Sequence, residues 1–448
     1  MTSKILIKNI NIVNEMKCVE SDILIYDNLI QKIGKIQVES DCIVIEGNNK
    51  HLFPGIIDGQ VHFREPGLTH KGDIYSESKA AIAGGVTSFI DMPNTIPNVL
   101  SLQNLSEKYA LASQKSLANY SFFMGVNGDN IDEIINSDTS KIIGISDDGL
   151  YFSKKGNLLA DNPETMEKLF ANCKTIIAIH SEKEQIVEEN EAIYRNKYGE
   201  DIPIRYHPFI RSEKACFEAT KKAIELANKH QARLHILHLT TEAETHLFRN
   251  DIPLSEKNIT TEVSVHHLWF SEKDYEQLGT LIKWNPAIKT EKDRQGLFKA
   301  LLDDRIDIVT TDHAPHTLEE KQKPYFQSMS GAPMVQHSLS CMLEFYKQGR
   351  ITLEKIVEKM CHNPATLYRI QKRGFIREGY YADLTLVDLN KSWTVEKDNI
   401  LYKCGWSPLT GTTFQTKVIK TFVNGHVVYD NGYFDERKKG QALTIQKT

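Results

Sequence analysis

Eight short apolar runs, rich in Val and Ile, recur through the middle of the chain. They span 55–62, 85–94, 119–126, 141–149, 175–182, 233–240, 259–268 and 306–316. Runs this continuous suit strands buried on both faces of a parallel sheet. Longer amphipathic stretches separate most of them. Among these are "DIYSESKAAIAGG", "PETMEKLFANC" and "SEKACFEATKKAIELANKH", the last with Ser212 as its N-cap. Strand and helix alternating over about 300 residues predict an α/β fold, a (β/α)8 barrel. Both chain ends follow another rhythm. Residues 4–34 alternate apolar and polar, as do 382–434, where "FVNGHVVYDNGYF" carries two Asn-Gly hairpin turns. The expected organisation is a barrel over 55–370 and one small β-sandwich assembled from 1–54 and 371–448.

In such a barrel, side chains at the C-terminal ends of the strands line the mouth. Here those ends carry Gln60 and His62, Asn94, Asp147 and Asp148, His180, His238, His266 and His267, and Asp312, His313 and His316. A lone strand-end histidine is more often a hydrogen-bonded structural group than a ligand. Histidine or aspartate at six of eight strand ends points instead to a metal-dependent hydrolytic site. Two neutral imidazoles and a carboxylate bind zinc and leave a position open for water. The metal brings that water's pKa toward neutrality, and a separate carboxylate can carry the proton to a leaving nitrogen.

The first run, "GIIDGQVHFREPG", has an irregularity. Alternate side chains share a face, so the partner of His62 is Gln60. An amide oxygen is a weaker zinc donor than imidazole. In the same stretch Arg64 has the planar fork that grips a carboxylate. Its competing reading is a rim salt bridge with Glu65 or Asp73.

Composition narrows the partners. The 448 residues are 40% hydrophobic and 25% charged, with a net charge of −5. That balance gives no reason to expect nucleic acid or an anionic membrane as partner. An anionic substrate would have to be held by local cations. No apolar run approaches the roughly 18 residues of a membrane span. The start, "MTSKILIKNINIV", lacks the features of a secretory signal. Seven widely spaced cysteines without a C-x-x-C suit reduced thiols in a cytoplasm.

The motifs "DGQVHFREPGLTHKGD", "GGVTSFIDMPNTIPN", "IHSEKE", "YHPFIRSEKAC", "LHILHLTT", "EVSVHHLWF", "IKWNPAIKT", "TTDHAPHTLEEK" and "GAPMVQHSL" follow one another along nearly the whole chain. In them the sequence resembles the dihydroorotases of the amidohydrolase superfamily, in the form found in Bacteroidetes-type bacteria. The resemblance implies a TIM barrel of the metal-dependent hydrolase type. It also implies the reversible cyclisation of N-carbamoyl-L-aspartate to L-dihydroorotate in de novo pyrimidine synthesis. It makes His62 a ligand of one metal, with Gln60 in the place of the partner ligand. It makes His180 and His238 ligands of the second metal. Asp148 takes the bridging position, where many members carry a carboxylated lysine, and the downstream "GNLLADN" keeps the alignment that favours Asp148 over Asp147. Asp312 becomes both metal ligand and general acid/base. Arg64, Asn94 and His316 would hold the substrate carboxylate. Asn285 and the backbone around Gly331 and Ala332 would contact the pyrimidine ring. With Gln60 a weak donor, one zinc is expected to be tight and a second weaker or partly occupied. A homodimer is the family expectation.

Two competing readings stand beside this one. The first is a hydantoinase, dihydropyrimidinase or allantoinase of the same superfamily, against which Arg64, Asn94 and His316 favour a substrate bearing a carboxylate. The second is a catalytically silent scaffold for aspartate transcarbamoylase. Gln60 and the absent bridging lysine favour it; retention of Asp312, His180, His238 and Arg64 opposes it. His235, His266 and His267 read as structural or supporting groups. The polar segment 317–333, long for a strand-to-helix connection, is expected to form a mobile lid.

Overall fold

The computed structural model describes residues 4–40, 42–137, 142–149 and 163–446. All eight expected barrel strands are present, as Ile56–Val61, Val86–Asp91, Asn119–Phe122, Gly144–Ser146, Ile176–Ile179, Leu234–Ile236, Ile259–Ser264 and Ile308–Thr310. The third continues past Phe123 as Met124–Gly125, and that short piece pairs with the fourth. Every pairing between neighbours is parallel. A bridge between Val61 and His313 closes the ring, and the His62 N–H donates to the His313 carbonyl at 2.7 Å. The eighth strand end is thereby locked to the first.

Strand residues alternate between two apolar clusters, as the pleat requires. Phe89, Ile145, Ile177, Ile179 and Val309 pack with helix residues such as Ala81, Leu105, Leu297 and Leu339. The other parity, including Ile90, Ile176, Ala178 and Ile308, packs with Tyr368 in a separate cluster, which is the barrel interior. The helix after the fifth strand's loop, Glu213–His230, begins at Ser212, whose hydroxyl accepts the Ala215 N–H. The helix Ile74–Ala83 is started by Asp73 in a capping box with Ser76.

The chain ends form one nine-stranded sheet. They meet where His51–Pro54 runs antiparallel to Leu384–Asp388, with Leu52 opposite Leu386. One face of this sheet buries Ile5, Ile7, Ile23, Leu52, Leu384, Leu386 and Phe422 in a core of its own, so the sheet folds over into the expected sandwich. The other face sends Val13, Phe53, Val387 and Val423 into the barrel's helix layer. The hairpin signal also holds. Asn424-Gly425 and Asn431-Gly432 all have positive φ, as a type I′ turn needs.

Two expectations fail. The seventh strand ends at Ser264, and Val265–Trp269 is a helical turn, so His266 and His267 are not on a strand. His266 stacks on Trp284 at 4.0 Å and 6°. The segment expected to be a lid is stapled down instead. Thr317 caps a helical turn over Leu318–Lys321. Fully buried Lys321 donates to the carbonyls of Lys283 (3.1 Å), Met329 (2.9 Å) and Gly331 (2.8 Å). Lys283 does the same for Tyr325 and Ser328. Three carbonyls on Lys321 and two on Lys283 tie the segment down around these two buried amines.

Candidate active site

The site grows from the turn after the first strand. Asp91, held by buried Lys108 at 2.7 Å, accepts the Phe63 N–H at 2.8 Å and shapes the chain between His62 and Arg64. Arg64 then adopts a left-handed φ of 67°. His238 (34°) and Asp312 (44°) do likewise at two other strand ends. For residues with a side chain this conformation stores about 1–3 kcal/mol each, and it persists only where the surroundings over-determine it. Three such residues converging on one end of the barrel mark that end as the functional one.

The acidic and imidazole groups are ordered around Asp148. His62 Nε2 lies 3.0 Å from Asp312 Oδ1, and its Nδ1 lies 2.8 Å from Asn94 Oδ1 and 3.5 Å from Asp148 Oδ2. The other oxygen of Asp148 is 3.6 Å from His180 Nε2. Asp148 thus lies between His62 and His180. Asp147 stands behind His180, 2.7 Å from its Nδ1, and also accepts its backbone N–H. A carboxylate on Nδ1 leaves Nε2 as the nitrogen turned toward the site, the usual support of a metal-binding histidine. Burial alone would lower the pKa of His180, but Asp147 and Asp148 outweigh it and push it up to about 9. Burial raises the Asp148 carboxyl, opposed by His180 and His62. The His238 ring lies 4.9 Å from that of His180. Burial, with His180 beside it, holds His238 well below the ordinary histidine range, so it is neutral.

A small cavity of ≈ 40 Å³ opens here. His62, Arg64, Asp148, His180, Asn285, Asp312 and Gly331 line it, with Trp284, Ala314 and Ser330. The remaining expected residues stand one step back. Asn94 backs His62, His238 backs His180, and His316 backs Arg64 at 3.1 Å. Ala332 bridges to His313, and its carbonyl accepts the Ala314 N–H. Gly331 has φ 115°, and a Cβ there would come within 2.7 Å of Ala314, so the close wall needs glycine. Gln60 is fully buried. The stretch "GNLLADN" lies outside the described residues.

Several buried polar atoms of the donor set lack a partner. Both ring nitrogens of His238, Oδ2 of Asp148 and both amide atoms of Gln60 are buried without a hydrogen-bond partner. Unmet lone pairs on neutral imidazole, carboxylate and amide oxygen are what a divalent cation takes up. Among the described residues no three or more His, Cys, Asp or Glu side chains are drawn together closely enough to hold a metal ion. Both nitrogens of His62 are engaged, by Asn94 and Asp312. His180, His238 and Asp148 supply the donor types that a zinc ion takes, with the His238 nitrogens and one Asp148 oxygen unpartnered.

Known proteins resemble this chain in sequence and in fold. The sequence profile of the Amidohydrolase family matches residues 51–428. The chain belongs to the amidohydrolase family. A protein named dihydroorotase from Pyrococcus abyssi is 31% identical over 429 residues, 95% of each chain. Another of that name from Methanosarcina acetivorans is 32% identical, covering 90% of this chain and 88% of its own. In structure, an L-hydantoinase (dihydropyrimidinase) from Arthrobacter aurescens superimposes with a TM-score of 0.91 at 25% identity, over 99% of this chain and 100% of its own. This amidohydrolase is therefore an enzyme of the cyclic-amidohydrolase type. Among the described residues no helix is long and apolar enough to cross a membrane, and all seven cysteines are free.

Two features of the amidohydrolase site escaped the sequence reading. Asp147 supports His180, a role that needed the turn Asp147–Gly149 to separate it from Asp148. Lys71 and Glu320 surround His316; Lys71 sits in the quoted "LTHKGD", where nothing in the periodicity marks it as buried.

Proposed function

We propose that this amidohydrolase is a zinc-dependent dihydroorotase of cytoplasmic pyrimidine synthesis, interconverting N-carbamoyl-L-aspartate and L-dihydroorotate. One observation carries the reading. Arg64 is buried at the cavity wall, and among the described residues no carboxylate lies within ion-pair distance of it. Its contacts are the Pro315 carbonyl (3.1 Å) and His316. Glu65 is taken by Lys115 and the Ile74 N–H, and Asp73 by Lys403. A buried guanidinium without a carboxylate is costly unless an anion completes it. Asn94 Nδ2, buried and unpartnered, is a further donor of the right kind.

Hydrolysis breaks the ring C–N bond as water adds to the carbonyl carbon. Asp312 takes the proton that the water loses and returns it to the departing nitrogen. In cyclisation the ureido nitrogen attacks the side-chain carboxyl carbon, Asp312 takes its proton, and the same proton goes to the carboxyl oxygen that leaves as water when its C–O bond breaks. The chemistry that a bound divalent cation supplies to such a donor set is acidification of water and polarisation of the carbonyl. Arg64 orients the substrate by its carboxylate, and the Gly331 wall closes on the ring.

The structural likeness to an L-hydantoinase favours a second reading, a hydantoin- or dihydrouracil-hydrolysing enzyme. Those rings bear no carboxylate for Arg64. The deciding measurement is kcat/KM on dihydroorotate, dihydrouracil and hydantoin with zinc present. We expect dihydroorotate to lead by about 10²-fold or more, the worth of one buried charge pair. Preference for a neutral ring would replace the reading with the hydantoinase one. Turnover no greater than that of Asp312→Ala would leave only the scaffold.

Metal content follows from the same donor set. After dialysis without chelator, about one equivalent of zinc should remain, held by His180, His238 and Asp148. Gln60→His should raise it toward two. Two equivalents already in the unaltered protein, by elemental analysis, would contradict the unequal sites.

A further inference from the structure

His316 is ringed by cations. Arg64 Nη2 stands 3.1 Å from its Nε2, and Lys71 Nζ stands 3.0 Å from its Nδ1. Glu320 is the acidic group beside them, with Lys321 further off. Burial and these cations keep the ring neutral. A neutral imidazole has one N–H and one lone pair, so it can accept from one of the two cations. Against the other it must present N–H to N–H.

The surroundings decide which. Lys71 also reaches Glu320 Oε1 at 3.1 Å, and an ammonium has three protons to share. Glu320 is itself anchored, accepting the Thr317 N–H at 2.9 Å in the capping box. Donation from Lys71 to Nδ1 therefore satisfies Lys71, Glu320 and Nδ1 together. The opposite arrangement would ask the Nδ1 proton to reach Glu320 Oε2 at 3.7 Å, beyond hydrogen-bond range. With Nδ1 accepting, Nε2 carries the proton and faces Arg64 Nη2. Two donors then meet at 3.1 Å with no acceptor between them, just behind the cavity wall that Arg64 forms. A carboxylate, with two oxygens to offer, completes such a pair.

We propose that Lys71, backed by Glu320, is a positioning residue of this enzyme: its ammonium fixes His316 as the Nε2–H tautomer, so that His316 and Arg64 present paired donors to the substrate carboxylate. Lys71 touches no substrate and acts through His316. The inference rests on the dihydroorotase reading for the identity of the anion.

The test uses zinc-loaded full-length protein and two readouts, steady-state kinetics on dihydroorotate and calorimetric binding of orotate, which needs no turnover. Lys71→Met should raise KM and weaken orotate about tenfold or more while kcat moves less than threefold, because a charge-assisted hydrogen bond is lost from binding. Lys71→Arg should recover most of the loss. In a cycle with His316→Asn, the double variant should bind orotate no worse than His316→Asn alone. Additive losses, or Lys71→Met binding orotate as the unaltered protein does, overturn the inference. Failure of the unaltered protein to bind orotate overturns it too. Absence of dihydroorotate turnover alongside Lys71-dependent orotate binding would sink the dihydroorotase reading and leave the positioning role standing. Glu320→Gln, which keeps the helix cap, should shift KM in the same direction by a smaller factor; no shift counts against Glu320 as the support.

Discussion

Asp312→Asn is expected to lower kcat for dihydroorotate hydrolysis by about 10³-fold, within the 10²–10⁴ range that a positioned proton carrier contributes. The expectation comes from placement. Thr311, the preceding residue, is fixed by Asp58 through its hydroxyl (2.6 Å) and its N–H (3.2 Å). His313, the following one, is bridged to Val61, accepts at Nδ1 from the Met334 N–H and meets Glu77 at Nε2. Asp312 is therefore clamped from both sides while its own side chain faces the cavity. Its Oδ1 meets His62 Nε2 at 3.0 Å, which fixes the direction of the carboxylate. Asparagine keeps the shape and loses the ability to accept and return a proton. Because Asp312 is also a candidate metal donor, zinc content and orotate affinity must be measured on the same preparation. A thousandfold loss with zinc retained assigns the effect to proton transfer. A loss that tracks missing zinc assigns it to the metal set. Activity within tenfold of the unaltered enzyme would remove Asp312 from the chemistry.

Much of this architecture could be read from the chain, and the exceptions have particular causes. Apolar runs marked all eight barrel strands because parallel strands bury both faces. Alternation and the two Asn-Gly pairs marked the sandwich. The strand-end residues His62, Asp148, His180 and Asp312 meet at one cavity because the barrel brings all strand ends to one rim. What failed was anything set by tertiary contact. The seventh run was read as strand through His266, yet the strand ends at Ser264; the reading of His266 as a structural group stands, with its ring stacked on Trp284. Lys321 looked like the surface of a mobile loop. Three carbonyls make it the loop's anchor, and no sequence pattern distinguishes a buried lysine from a solvated one. The motif alignment favoured Asp148 over Asp147 for the bridging place; the support that Asp147 gives His180 had no signal in the sequence. His235 was legible as structural: Thr260 and Glu262 engage both its nitrogens.

Substitution of Arg64 carries the second large effect and discriminates among substrates. Arg64→Met removes the charge and retains most of the apolar stem. Loss of one partner from a buried charge pair costs about 3–5 kcal/mol, so kcat/KM for dihydroorotate should fall by roughly 10²–10⁴-fold. The ratio of kcat/KM for dihydroorotate to that for dihydrouracil should fall by about 10²-fold, since the neutral ring never used the charge. Arg64→Lys should lie between. It restores the cation but not the planar fork, and its single ammonium cannot serve the Pro315 carbonyl and a substrate carboxylate in the same geometry. The burial of Arg64 matters to the size of the effect. An exposed guanidinium would be screened and worth little, whereas this one is 4% exposed and lines the wall of the cavity. Burial lowers the Arg64 pKa, partly offset by Asp148, Asp312, Asp91 and Glu320, and a guanidinium stays cationic at neutral pH. If Arg64→Met left the substrate ratio unchanged, the carboxylate would have to be held elsewhere. The hydantoinase-like reading would then be the better account of the site.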